Sequence, residues 1–195
     1  MRAMRYDTYG LNRRSIRLPG YDYASGGSYY ITIRAHNREC LFGEVVDGKM
    51  RLNEYGEIVR DEWERSGEIR HGLVVDAHVI MPNHLHGIVT IVEERNVGAH
   101  SCAPLPNDAP LPNNAPLHAN LPRRPPRSIA SFVAQFKATA TRRINGLRDT
   151  QGARLWQRNY YEHVVRDEDD FYRIQAYIED NPGRWAEDEY HPSRA

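Results

Sequence analysis

Four stretches of the chain have the residue pattern of β-strands. Leu73–Met81 and His84–Val92 alternate residue by residue between two faces, while Tyr29–Ile33 and Trp156–Val165 are rich in β-branched and aromatic residues. The dipeptide Pro82-Asn83 separates the two alternating stretches and favours a turn. We therefore predict that these two stretches form a β-hairpin.

A second, smaller hairpin is predicted in the first third of the chain. Leu41–Val46 and Lys49–Leu52 flank the dipeptide Asp47-Gly48, which tolerates the positive φ angles of a tight turn. The short strands indicate a peripheral β element rather than part of the main sheet.

Three further stretches space their apolar residues three or four positions apart, as amphipathic helices do. The first follows Asn53 and includes Trp63, the second runs from Ser128 to Gly146, and the third follows Asp167. Asparagine, serine and aspartate favour the first position of a helix because their side chains accept hydrogen bonds from its free amide groups. We expect Trp63 to belong to the hydrophobic core.

Residues 96–122 differ in composition from the rest of the chain. They hold six of the twelve prolines and one charged residue, Asp108, and they repeat the motif Ala-Pro-Leu at intervals of six. Such a stretch cannot bury a core, so we interpret it as a disordered or polyproline-like insertion at about 96–127. The predicted organisation is an arm at 1–27 and one domain at 28–195 that contains the insertion.

The composition of the 195 residues narrows the class of protein. Two cysteines are too few for a disulfide framework, and no apolar run is long enough to cross a bilayer. The N-terminus contains arginine but lacks the apolar stretch of a signal peptide. We expect a cytoplasmic protein without a membrane partner.

The net charge of zero conceals a segregation of charge along the chain. The segment 123–148 has seven basic residues and no acidic one, whereas 162–189 has ten acidic residues and three arginines. A basic surface of this kind suits a polyanion such as nucleic acid, although two ordinary solvated faces would have the same composition. If the polyanion is a nucleic acid, the residues predicted to contact its backbone are Arg13, Arg14, Arg17, Arg123, Arg124, Arg127, Lys137, Arg142 and Arg143.

A pair of histidines, His84 and His86, begins the second strand of the predicted main hairpin. Because side chains alternate along a strand, both imidazoles point to the same face, as the ligands of one metal ion would. A His-x-His pair alone is a weak indication of a metal site. Its position beside the turn of a hairpin strengthens the interpretation.

Three blocks of sequence resemble the REP-associated tyrosine transposases of bacteria, which belong to the HUH class of single-tyrosine transposases. The blocks are His78-Val-Ile-Met-Pro-Asn-His84-Leu-His86, Trp156-Gln-Arg-Asn-Tyr-Tyr-Glu-His163-Val-Val-Arg166 and Tyr177-Ile-Glu-Asp-Asn181-Pro182. The resemblance covers most of the chain from about Arg14 onward, apart from the insertion. It implies an α+β fold, a ferredoxin-like α/β plait with a mainly antiparallel sheet, flanking helices and the histidine pair on a central strand.

The resemblance also implies an activity and the residues that perform it. Tyr177 would be the nucleophile, and His84, His86 and Asn181 would hold a divalent metal, Mg²⁺ or Mn²⁺. The substrate would be single-stranded DNA near a hairpin, which is cleaved and rejoined through a 5′-phosphotyrosine. The spacing of Tyr177 and Asn181 agrees with these roles, since residues four apart share a helical face.

Several alternatives stay open at the level of the sequence. Tyr172 lies on the same predicted helix as a rival nucleophile, but no asparagine follows it one turn later. His78 and Asp76 fall on one face of their strand by alternation and are candidates to support the metal ligands. The protein could also be a DNA-hairpin-binding protein without catalysis, or a metal-dependent phosphodiesterase that uses water, and it could be a monomer or a homodimer.

Overall fold

The computed structural model describes residues 26–92 and 128–194. The six strands of these residues are β1 Gly27–Arg34, β2 Gly43–Val46, β3 Lys49–Leu52, β4 Leu73–Ile80, β5 His84–Ile91 and β6 Tyr161–Val164. Four of them form an antiparallel sheet in the order β4-β5-β1-β6, and β2 and β3 form the separate small hairpin. The longer helices are α1 Glu54–Glu68, α2 Ile129–Leu147 and α3 Glu168–Asp180, and short 3-10 helices lie at His36–Arg38, Pro182–Glu187 and Pro192–Arg194.

The helices cover both faces of the sheet. Helices α1 and α2 pack on the face that carries Leu85, Val89 and Ile91, and they form the main core with it. Helix α3 packs on the opposite face, where Ile174 and Ile178 contact the side chains of β1 and β5. The predicted fold class, an α+β plait with a mainly antiparallel sheet, is confirmed.

Among the elements whose bounds differ from those predicted are the last strand and helix α2. The strand predicted at Trp156–Val165 is shorter, because Trp156 makes only an isolated bridge to Ala35 and β6 starts at Tyr161. The carbonyls of residues 157 and 159 accept hydrogen bonds from the Lys137 ammonium, at 2.9 and 3.0 Å, and so do not join a strand ladder. Helix α2 continues one residue beyond Gly146, to Leu147.

Trp63 is fully buried in the main core, as predicted from its helical spacing. It lies edge-on to Phe132 and Phe136 and against the backbone of β5 at Gly87. A Cβ atom at position 87 would lie 2.5 Å from Cζ2 of the indole ring. The glycine between the histidine pair and the rest of β5 therefore allows α1 to approach the sheet closely.

A β-bulge in β4 overturns the prediction that Asp76 and His78 share one face. The pairing of β4 with β5 shifts between Val75 and His78. Asp76 Oδ2 accepts a hydrogen bond of 2.7 Å from Thr90 Oγ1 on the face of α3, whereas the His78 ring lies 6.5 Å from the Trp63 ring on the other face. An extra residue in one strand reverses the faces of the residues that follow it, and alternation in a single strand cannot reveal it.

Some predictions fall outside the described residues. The N-terminal arm and the Pro-rich insertion do so almost entirely, and with them Arg13, Arg14, Arg17, Arg123, Arg124 and Arg127. The division into an arm, a domain and an insertion therefore remains a prediction. Within the described ranges, no helix is long and apolar enough to span a bilayer.

Candidate metal and tyrosine site

The two histidines of β5 meet in the interior of the protein. His84 and His86 are 0% and 2% exposed, and their Nε2 atoms are 3.0 Å apart. Both side chains project from β5 toward the face that α3 covers, because they occupy alternate positions of the strand. The predicted convergence of the two imidazoles is therefore present.

Asn83 determines which ring nitrogen of His84 carries the hydrogen. Its Nδ2 donates to the carbonyls of Arg38 and Tyr190, at 3.1 and 2.7 Å, so its Oδ1 is the atom that lies 2.8 Å from Nδ1 of His84. A carbonyl oxygen only accepts, and Nδ1 must carry the hydrogen. The lone pair of His84 is then on Nε2 and points into the site.

Two hydroxyl groups of β1 hold His86 from the other side. Tyr30 Oη lies 2.7 Å and Thr32 Oγ1 2.9 Å from Nδ1 of His86. A hydroxyl can donate or accept, so the contacts suit a protonated Nδ1 and leave Nε2 available to a metal ion. Thr32 is directly opposite His86 in the ladder between β1 and β5, which explains the contact.

Burial keeps both imidazoles neutral. It lowers the pKa of His86 to about 3, and it lowers the pKa of His84 well below the ordinary value, with further lowering from His86 and from the positive charge of Arg34. Neutral imidazole is the form that binds metal ions. The pair can therefore act as ligands at neutral pH without first losing protons.

Tyr177 lies beside the histidine pair, and Tyr172 does not. The Tyr177 ring is 5.4 Å from the His86 ring and 6.3 Å from the Tyr30 ring, measured between centroids. Tyr172 is 64% exposed, and its ring contacts Phe171. Of the two tyrosines of α3, only Tyr177 lies at the candidate site.

Asn181 and Asp188 lie next to each other after the end of α3. Asn181 is 3% exposed, and its Oδ1 is a buried atom without a hydrogen-bond partner. Its side chain hydrogen-bonds to Asp188, whose Oδ2 lies 3.8 Å from Nε2 of His84. In the described parts of the chain, His84, His86 and Asp188 form one group that could hold a metal ion, with ligand atoms within 4.8 Å of one another.

Sequence reasoning missed Asp188 and Tyr190. The Tyr190 ring lies 4.8 Å from the His84 ring and under the guanidinium of Arg34, which is 5.2 Å from its centroid. Burial raises the pKa of Tyr190, so its phenol stays protonated. The segment 182–194 has no strong periodicity, and only its closeness to Asn181 in the sequence could have indicated that it reaches the site.

The interpretation of His78 as a support for the metal ligands is wrong. His78 lies on the other face of the sheet from His84 and His86, with its Nε2 3.5 Å from Oε1 of Glu64. Asp76 shares the face of the histidines, but its carboxylate accepts from Thr90, four residues along β5 from His86. The structure brings neither residue into the group of candidate ligands.

Helix α2, which carries the described basic residues, packs on the face of the sheet opposite the histidine pair. Lys137 is bound to two carbonyls, and burial lowers its pKa to about 8. Arg143 donates a hydrogen bond of 2.7 Å to Glu62 and so ties α2 to α1. Arg142 is exposed. Lys137 and Arg143 thus have structural contacts within the chain, and a role of these three residues in DNA binding remains a prediction.

The donor atoms fit a divalent metal ion. Imidazole nitrogens bind such ions at about 2.0–2.1 Å, so two nitrogens 3.0 Å apart can share one ion. Both rings are held through their other nitrogen by hydrogen bonds, which is the usual arrangement around a ligating histidine. The buried Oδ1 of Asn181 is an oxygen donor in need of a partner.

The fold is similar to that of a solved tyrosine transposase structure. A solved structure of a REP-associated tyrosine transposase bound to a REP hairpin covers 91% of this chain and 74% of its own, with a TM-score of 0.54 and 18% sequence identity. At this identity the likeness concerns the fold, and it agrees with the fold that the three sequence blocks implied. No family model matches the chain.

The family of this chain is shown by a relative with a similar sequence. A protein of Haemophilus influenzae is 40% identical to this chain over 179 residues, which are 91% of this chain and 92% of the relative. The chain belongs to the same family as this Haemophilus influenzae protein. The match covers both sequences almost from end to end.

Proposed function

We propose that the protein is a metal-dependent endonuclease and strand transferase, a transposase, that cleaves and rejoins single-stranded DNA near hairpins. The observation that carries the proposal is the position of Tyr177, whose ring lies 5.4 Å from that of His86 beside two converging, neutral imidazoles. A hydroxyl nucleophile next to a candidate metal site is an arrangement suited to phosphoryl transfer. The similarly folded structure is described as bound to a REP hairpin, which supports a DNA hairpin as the ligand.

The proposed reaction is a transesterification at phosphorus. Tyr177 gives up its phenolic proton and its oxygen attacks the phosphate, so the bond from tyrosine oxygen to phosphorus forms as the bond from phosphorus to the 3′-oxygen breaks. The 3′-oxygen takes up one proton, which balances the proton that Tyr177 gives up, and leaves as a hydroxyl. The DNA stays attached through a 5′-phosphotyrosine. Attack by a second 3′-hydroxyl reverses these steps and joins the strands without ATP.

The residues around Tyr177 have proposed roles as well. His84, His86 and Asn181 hold a divalent ion, Mg²⁺ or Mn²⁺, and when bound the ion offsets the negative charge that develops on the phosphate oxygens. A free tyrosine has a pKa of about 10 and is a weak nucleophile at neutral pH, so positioning beside the ion is needed to activate it. Asn83, Tyr30 and Thr32 keep the two imidazoles in the orientation that binds the ion.

An assay for a covalent adduct separates this proposal from its alternatives. The protein is incubated with single-stranded oligonucleotides that contain a hairpin and with Mn²⁺ or Mg²⁺, and the products are resolved on a denaturing gel. We expect a protein-DNA adduct that disappears with chelator and in His84→Ala. Cleavage without an adduct would instead indicate a water-using phosphodiesterase, and binding without cleavage would indicate a hairpin-binding protein.

A further inference from the structure

The segment after α3 places a buried carboxylate beside the histidine pair. Asp188 ends the 3-10 helix Pro182–Glu187, and its side chain is 4% exposed. Oδ1 accepts a hydrogen bond of 2.6 Å from the backbone amide of Tyr190, which leaves Oδ2 facing His84 at 3.8 Å. The carboxylate is thus held at a fixed position rather than solvated at the surface.

The segment that carries Asp188 is tied to the hairpin of the histidines. Asn83, in the turn between β4 and β5, donates to the carbonyl of Tyr190 at 2.7 Å and also orients His84. The His84 ring lies 4.8 Å from the Tyr190 ring and 6.0 Å from the Trp185 ring. One residue of the turn therefore positions both the imidazole and the segment with the carboxylate.

When Asp188 is ionised, the atoms that face each other between Asp188 and His84 are both acceptors. Asn83 places the hydrogen of His84 on Nδ1, so Nε2 presents a lone pair, and Oδ2 of Asp188 presents another. Two acceptors 3.8 Å apart in a buried site stabilise neither group, whereas a cation that contacts both would stabilise each. Asn181 adds a third acceptor, its unpartnered Oδ1.

The charges of the candidate ligands also indicate that a divalent ion here needs a carboxylate. Two imidazoles and one amide carry no negative charge, while Mg²⁺ and Mn²⁺ prefer ligand sets that include carboxylate oxygens. Arg34 of β1 is directly opposite His84 of β5 in the strand register, and it brings a positive charge near the site. Asp188 is the one acidic residue in the described group of candidate ligands.

We propose that Asp188 is an anionic ligand of the divalent ion, which allows the free protein to hold the ion before DNA binds. The separations of 3.0 Å between the histidine nitrogens and 3.8 Å between His84 and Asp188 are both within twice a ligand distance of about 2.1 Å. The candidate ligand atoms of His84, His86 and Asp188 all lie within 4.8 Å of one another. The inference rests on the proposed function, because that function supplies the reason for a divalent ion at this place.

The test is calorimetric titration of Mn²⁺ into the full-length protein without DNA. We expect the wild type to bind the ion, and Asp188→Asn to bind it at least about tenfold more weakly while keeping the acceptor for the Tyr190 amide. Asp188→Glu, which keeps the charge, should recover part of the affinity. Asp180→Asn is the matched control, since Asp180 is an exposed acid at the end of α3, and His84→Ala is the variant expected to lose binding.

The possible outcomes separate this inference from the proposed function. Equal Mn²⁺ affinity in the wild type and a folded Asp188→Asn, or no binding to the DNA-free wild type, would overturn the role of Asp188 even if the covalent adduct forms. Loss of affinity in Asp188→Asn without any adduct in the wild type would keep the ligand and overturn the tyrosine chemistry. If circular dichroism shows that the Asp188 variants do not fold, wild-type crystals soaked in Mn²⁺ decide, because the ion must contact the Asp188 carboxylate directly.

Discussion

Replacement of Asn83 by alanine should weaken both the fold and the metal site, because this side chain joins them. Asn83 is 1% exposed and makes three side-chain contacts, to the carbonyls of Arg38 and Tyr190 and to Nδ1 of His84. A buried hydrogen bond contributes about 1 kcal/mol net, so the loss of three should lower the free energy of unfolding by about 3 kcal/mol. Removal of the group that orients a ligating histidine should weaken metal binding by about 10–100-fold.

Two measurements on Asn83→Ala check these magnitudes. Urea denaturation followed by circular dichroism gives the change in the free energy of unfolding, and calorimetric titration gives the Mn²⁺ affinity of the folded variant. Asn159→Ala is the matched control, because Asn159 is exposed and contributes only its backbone carbonyl to Lys137, and it should change stability by less than about 0.5 kcal/mol. A folded Asn83→Ala with wild-type affinity for Mn²⁺ would refute the reasoning that Asn83 sets the tautomer of His84.

Three other changes test the fold around the site. Gly87→Ala should destabilise the protein by about 1–3 kcal/mol, seen as a lower midpoint of urea denaturation, because the new Cβ would lie 2.5 Å from the Trp63 ring. Burial acts to raise the pKa of Glu62, but hydrogen bonds with Arg143 and Thr139 and the charges of Arg143 and Arg65 outweigh this and bring the pKa below its ordinary value. The contact with Arg143 therefore adds stability above pH 4.5 that is lost as the pH falls. Arg143→Ala should therefore lose about 1 kcal/mol at pH 7, since the arginine is 43% exposed, and a difference from the wild type that persists unchanged in acid would contradict this account. Deletion of residues 99–120 should leave thermal unfolding cooperative, because the entropy of loop closure depends weakly on loop length, and an aggregated product would contradict the interpretation of this segment as an insertion.

The sequence predicts those features of the site that depend on the local periodicity of a strand or a helix. His84 and His86 share a face because a strand alternates, and Tyr177 and Asn181 lie one turn apart because a helix repeats every three to four residues. The structure agrees with both relations, as Tyr177 lies beside His86 and Asn181 is buried near Asp188. The alternation and the turn residues likewise predict the hairpin of β4 and β5.

The other features of the site depend on contacts between residues that are far apart in the sequence. Tyr30 and Thr32 reach His86 only through the register between β1 and β5, which no single strand reveals. Asp188 reaches the site through a segment without periodicity. A bulge separates Asp76 and His78, and it changes the pairing of two strands without changing the alternation of either sequence.

The charge pattern along the sequence does not show which basic side chains of α2 are paired within the chain. Arg143 and Lys137 belong to a segment without acidic residues, which suggested a polyanion as partner. In the structure Arg143 pairs with Glu62, 81 residues earlier in the chain, and Lys137 binds carbonyls of the following loop. Charges that are segregated along the sequence can thus be paired in space.

The central claim is that Tyr177 is the nucleophile, and the most direct test is to locate the covalent bond. The adduct formed with a hairpin oligonucleotide and Mn²⁺ is digested with nuclease and protease, and the peptide that keeps a phosphate on tyrosine is sequenced by mass spectrometry. We predict that the modified residue is Tyr177, that Tyr177→Phe forms no adduct while it still folds and binds DNA, and that Tyr172→Phe and Tyr190→Phe still form it. A phosphate on Tyr172 or Tyr190, or an undiminished adduct in Tyr177→Phe, would contradict the account.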